Sequence, residues 1–71
     1  MIIVWIIEHP TAGLLIEWDD RPHFSWSKAR GDPAVMTFET AEAAERMLRR
    51  LLTLSRYRDA FIRSWAWRGR I

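Results

Sequence analysis

Residues able to do chemistry are few in this chain and they do not assemble into a reaction. Asp19, Asp20 and His23 lie close together and carry metal-ligand atoms. A metal site needs three or four ligands in a set geometry, and His9 is the only other histidine. A polar turn is the expectation here, with no metal bound. Ser25 and Ser27 bring hydroxyl groups but no evident base with an orienting partner, and no G-x-S-x-G elbow surrounds them. Gly13, Gly31 and Gly69 stand alone, so no glycine-rich loop cradles a phosphate. The paired carboxylates are adjacent residues on a turn, which rarely converge on one substrate. The sequence therefore predicts no catalytic residue, no cofactor and no enzyme.

Surface recognition is the chemistry that remains. Five tryptophans, Trp5, Trp18, Trp26, Trp65 and Trp67, occur in 71 residues without one cysteine. Tryptophan and arginine are the residues enriched at binding hot spots. Charge is divided unevenly. Met1–Glu45 carries three basic and eight acidic residues, and Arg46–Ile71 carries eight arginines against Asp59 alone. A basic half suits an anionic partner. It also suits a solvated helix face in a chain that prefers Arg, since Lys28 is the sole lysine.

The elements that must position these residues follow from periodicity. Ile2–Glu8 is apolar on both alternating sets, as in a central strand covered on both sides. His9–Gly13 is a turn cluster, followed by a second, antiparallel strand over Leu14–Trp18. Asp19–Pro22 breaks that strand. His23–Ser27 alternates Phe24 and Trp26 against polar residues, as in a half-buried strand. Lys28–Pro33 is polar and reads as the loosest loop, with a short extended lead-in over Ala34–Phe38. Thr40 caps a helix running to about Ser55, with Ala41, Ala44, Met47, Leu48, Leu51 and Leu52 on its buried face. A last strand over Ala60–Arg68 sets small Ser64 and Ala66, with Ile62, under the helix. Phe61, Arg63, Trp65 and Trp67 then point to the opposite face.

The expected architecture is one α+β domain over residues 1–71: a small antiparallel sheet of three to four strands with one amphipathic helix on one face, in the order β-β-β-α-β. The stretch Met1–Ile7 is too short to span a bilayer and lacks a basic lead, so neither a membrane span nor a signal peptide is expected. Absence of cysteine fits a reducing cytoplasm.

Phe38-Glu39-Thr40-Ala41-Glu42-Ala43-Ala44-Glu45 resembles the helix entry of many short phage and mobile-element proteins, in which Phe-x-Ser/Thr precedes an Ala/Glu-rich helix. Anti-CRISPR proteins include many chains of this size and plan. The resemblance covers about the last half of the chain and carries over no functional residue. It implies a cytoplasmic protein of a bacterial host that binds a bacterial partner, such as a Cas subunit. Many such proteins are acidic imitators of DNA; the basic half departs from them and favours direct binding to a protein surface.

The expected partner-binding residues are Trp26, Arg63, Trp65 and Trp67 on an open sheet face, with Arg46 and Arg50 on the outer helix face. Nucleic-acid binding is the second reading, through bases stacked on an Arg/Trp sheet. A homodimer burying the open face satisfies the same pattern, as do tryptophans that simply fill a small core.

Overall fold

The computed structural model describes residues Ile2–Trp67, with the side chain of Trp67 left aside. Strands β1 (Ile2–His9), β2 (Gly13–Trp18), β3 (Pro22–Ser25) and β4 (Phe61–Trp67) form one antiparallel sheet in the order β3-β2-β1-β4. The helix α1 (Ala41–Leu52) and a short 3₁₀ turn (Ser55–Tyr57) lie between β3 and β4. This is the α+β plan read from the sequence, with the 3₁₀ turn added.

Thr40 stays extended, and its Oγ1 accepts the Ala43 N–H at 3.1 Å, which starts α1. Glu42 in the first turn and Arg49 and Arg50 in the last oppose the helix dipole favourably. The helix ends at Leu52 rather than near Ser55. The Thr53 N–H and hydroxyl both return to the Arg50 carbonyl, closing the last turn. Ala44 and Leu51 are buried, and Met47 and Leu48 pack beside them. Leu52 was expected on this face but is 43% exposed. One residue advances a helix by about 100°, which places Leu52 on the flank of the stripe centred on Leu51.

β1 and β2 pair only beside their turn, at Glu8↔Leu14 and His9↔Gly13. Beyond that point the chain around Met36–Phe38 enters between them. Met36 N–H donates to Leu15 O at 3.0 Å, and Trp5 and Phe38 exchange two backbone bonds of 2.8 Å. The lead-in to the helix thus satisfies groups that the splayed strands leave unpaired.

Two packed clusters result. On the helix side, Ile7, Leu15, Leu51 and Ala60 are surrounded by Trp18, Phe24, Phe38, Tyr57 and Ile62. On the other side, Ile6 and Leu14 are buried under Val35, with Trp65 against them. The second face was expected to be open. Instead the stretch before α1 closes it over Ile6 and Leu14, because both faces of β1 are apolar and one helix covers only one of them.

Strand β3 is shorter than expected, and Trp26 lies beyond its end. The ladder ends where Ser25 pairs with Leu14, one residue before Trp26 would meet Gly13, the first residue of β2. Gly13 lies here with φ +98, and a Cβ on it would collide with Ser25 and the Trp26 backbone. Gly13 therefore answers both a backbone and a steric demand.

Two substitutions test this packing. Leu51→Ala should lower stability by about 2–5 kcal/mol, because it opens a cavity at a fully enclosed site. Leu48→Ala should cost less, since Leu48 is only half buried. Gly13→Ala should cost more than an ordinary Gly→Ala change at a surface turn. Denaturant melts of the three variants rank them directly.

Candidate interaction site around Trp26 and Trp65

Glu8 organises the face opposite the helix. Its register partners are Leu14 on β2 and Phe61 on β4, and its side chain is only 12% exposed. A carboxylate so placed needs partners. Arg30 supplies Nε to Oε1 at 2.6 Å and a longer second bond to Oε2 at 3.5 Å. Arg63, on β4, brings its Nε within 2.7 Å of the same Oε1. The hydrogen bond to Glu8 raises the Arg30 guanidinium above its ordinary pKa, against a smaller opposing effect of burial. One carboxylate between two guanidiniums leaves this cluster with net positive charge.

The Glu8–Arg30 pair fastens the loop that follows Trp26. Inside that loop, Asp32 N–H donates to Ala29 O, Val35 N–H donates to Asp32 O, and Asp32 Oδ1 accepts the Ala34 N–H at 2.8 Å. These turns deliver Val35 to the sheet. Trp65 is half buried between Val35 and the strands, and the Arg30 guanidinium lies 5.9 Å from its ring centroid. Gly31 passes beside the Trp65 indole nitrogen; a Cβ at Gly31 would rest 3.9 Å from it, an ordinary contact.

Between this loop and the β1–β2 turn lies an open hollow of about 570 Å³. Glu8, His9, Thr11, Leu14, Trp26, Lys28, Arg30 and Trp65 line it. Trp26 stands on its rim, 82% exposed. The Ser25 and Ser27 hydroxyls flanking Trp26 lie 3.1 Å apart in hydrogen-bond contact. His9 is engaged as well, since its Nδ1 accepts the backbone N–H groups of Thr11 and Ala12. The hollow thus offers two indoles, the Arg30 donors not used by Glu8, and an ammonium. These groups recognise flat, apolar or anionic surfaces.

The structure brings together three of the expected residues. Trp26 and Trp65 share the hollow, and Arg63 joins through Glu8. Arg46 and Arg50 are exposed on α1, away from it. The Arg50 guanidinium lies 4.9 Å from the Trp18 ring centroid, so the basic helix face adjoins the strand leading to the acidic turn. The side chain of Trp67 lies outside the described residues, as do Arg68 and Arg70. Sequence reasoning missed Glu8 and Arg30. A lone acidic residue ending an otherwise apolar strand was the available signal for Glu8. Nothing local marks Arg30, 22 residues away.

At the far end of β2 a second polar group forms. Glu17, Asp19 and His23 place ligand-type atoms within 4.8 Å of one another. Glu17 and His23 are register partners, which brings in Glu17 where the sequence suggested Asp20. Asp19 Oδ1 accepts the Arg21 N–H at 3.2 Å and lies 3.0 Å from His23 Nε2. Its carboxyl is held well below the usual carboxylate range, first by a hydrogen bond with the Asp20 side chain, then by the Arg21 N–H and His23. These bonds account for the grouping as a lock on the β2–β3 turn.

Comparison with protein-family models, curated proteins and solved structures finds no match to this chain. Among the described residues, no helix is long and apolar enough to cross a membrane.

Glu8→Gln tests the clip. It keeps the shape but removes the charge that holds both arginines, and the partial exposure of those arginines limits the cost to about 1–2 kcal/mol. Hydrogen exchange at the Val35 amide should speed up more than exchange in α1. Equal protection in variant and parent refutes the assigned role.

Proposed function

We propose that this chain is a non-enzymatic binding module that acts one-to-one on another protein, with the Trp26–Trp65 hollow as its docking site. The observation carrying this reading is the exposure of Trp26 on the rim of a hollow floored by a second indole. An indole held in water is released from it on docking, and a structured hollow adds little ordering cost. Arg30 and Lys28 at the same site favour a partner surface with carboxylates among its apolar groups. Arg46 and Arg50 add a steering field from the helix. Arg63 acts by holding Glu8, and Trp67 extends the same strand.

The resemblance of Phe38–Glu45 to the helix entry of short phage proteins makes a bacterial defence complex the first partner to test. The sharper form of the proposal is a phage-encoded inhibitor acting in the bacterial cytoplasm on a Cas subunit. Purified CRISPR–Cas effector complexes, immobilised and titrated with the chain, provide the assay. Trp26→Ala should weaken binding by roughly 30-fold or more, the scale of about 2 kcal/mol at a hot spot, with an unchanged melt. Arg46→Glu with Arg50→Glu should mainly slow association. Full binding by Trp26→Ala excludes the hollow as the docking site.

A second reading rests on the cations beside Trp26. Lys28 and Arg30 next to an exposed indole suit an unpaired base stacked on Trp26 with its phosphate nearby. That reading requires affinity for single-stranded DNA or RNA that falls steeply with salt. An aromatic-centred protein interface keeps most of its affinity over the same salt series.

A further inference from the structure

We infer that β4 is a self-pairing edge, through which two copies of this chain join their sheets about a two-fold axis at Ser64. The inference goes beyond the docking role given to the Trp26 hollow and does not rest on it.

The sheet has two edges of unlike design. β3 has four residues, opens with Pro22, and faces a register break between Leu15 and Glu17 on its neighbour. Short length, proline and irregularity are the devices that keep an edge from pairing. β4 has none of them. It runs seven residues, and its register against β1 is unbroken from Ile2↔Trp67 to Glu8↔Phe61. It contains no proline and no lysine. Its sole charge, Arg63, is drawn onto Glu8 of the same chain. Among the described residues no strand lies on its outer side. A straight edge of about 23 Å is thus left with free N–H and C=O groups.

The side chains favour a second copy as the occupant. Antiparallel pairing about a two-fold keeps each face of the sheet on its own side only when residues of the same parity meet. Centring on Ser64 satisfies this and keeps all seven residues in register. Arg63 then lies across from Trp65 of the other copy, twice, so that no like charges meet directly while each guanidinium stays with its own Glu8. Ile62 faces Ala66, and the small Ser64 residues meet at the axis. Centring one residue earlier sets Arg63 against Arg63, an unfavourable like-charge pair. On the helix side, an apolar groove of about 450 Å³ runs beside the edge, lined by Leu48, Leu52, Phe61 and Ile62, with Glu45 and Arg49 on its rim. A rim bearing both signs meets its own copy without net repulsion. This groove enlarges the interface beyond backbone pairing alone, which a specific dimer requires.

The test reads assembly and register separately. Sedimentation of the parent should show a monomer–dimer equilibrium with Kd in the micromolar range. Ser64→Lys and Ser64→Asp place like charges at the axis. Each should stay monomeric with a melt near that of the monomeric parent, and their mixture should form a heterodimer. The chain has no cysteine, so single cysteines report the register. Ser64→Cys should form a disulfide-linked dimer on mild oxidation, because directly opposed residues lie about 4.5–5.5 Å apart at Cα. Ala66→Cys should not, as the two copies of residue 66 lie about 13 Å apart along the strands. A parent that stays monomeric up to about 1 mM, the weak end of specific association, overturns the inference. So does equal cross-linking at positions 64 and 66, or failure of the charge-swapped pair to associate.

Discussion

Val35 closing over Ile6 and Leu14 is the contact that joins the two halves of this chain on the face the helix does not reach. β1 is apolar on both sides, and a chain this short has one helix with which to cover them. The uncovered side must be closed by loop, and loops are poor at burial because their backbone groups need partners. The stretch between β3 and α1 meets that demand with internal turns centred on Asp32, and with Met36 and Phe38 bonded to β2 and β1. Glu8 holds the arrangement electrostatically by taking Arg30 from the loop and Arg63 from β4 onto one carboxylate.

The site grows out of that closure. Covering Ile6 and Leu14 leaves Trp65 half buried and produces a hollow between the loop and the β1–β2 turn. The early end of β3 sends Trp26 to its rim. Gly13 permits the close crossing there, since any side chain would meet the Ser25–Trp26 backbone. The same strands that make the core thus set two indoles and an arginine around one concave surface. The hydroxyl and imidazole groups nearby are engaged in local structure, His9 with the β1–β2 turn and Ser25 with Ser27.

The tryptophans divide by environment. Trp5 exchanges backbone bonds with Phe38, Trp18 packs on the helix-side cluster beneath Arg50, and Trp65 floors the hollow. Only Trp26, among those whose side chains are described, stands in solvent. Core packing therefore accounts for Trp18 and Trp65, which lie against the two buried clusters. The excess that suggests binding reduces to one exposed indole and its neighbours.

Periodicity made the strand-and-helix plan legible: alternation of two in β4, the three-and-four spacing of Ala44, Leu48 and Leu51, and the cap at Thr40. These signals are local because backbone hydrogen bonding in a helix and the pleat of a strand repeat over a few residues. The alternation of β4 was legible for the same reason, with Ile62 packed on the helix side and Trp65 on the other, but Ser64 and Ala66, expected under the helix, are exposed because the helix does not reach that end of the strand. What covers the second face was not, because Glu8–Arg30 and Met36–Leu15 join residues 20 or so apart with no repeating pattern to announce them. Trp26 illustrates the limit. Its alternation with Phe24 placed it in a strand, but the ladder ends one residue earlier, where the chain crosses close over Gly13 at the β1–β2 turn. Which residues alternate is a property of the chain; where a ladder runs out of partners is a property of the sheet.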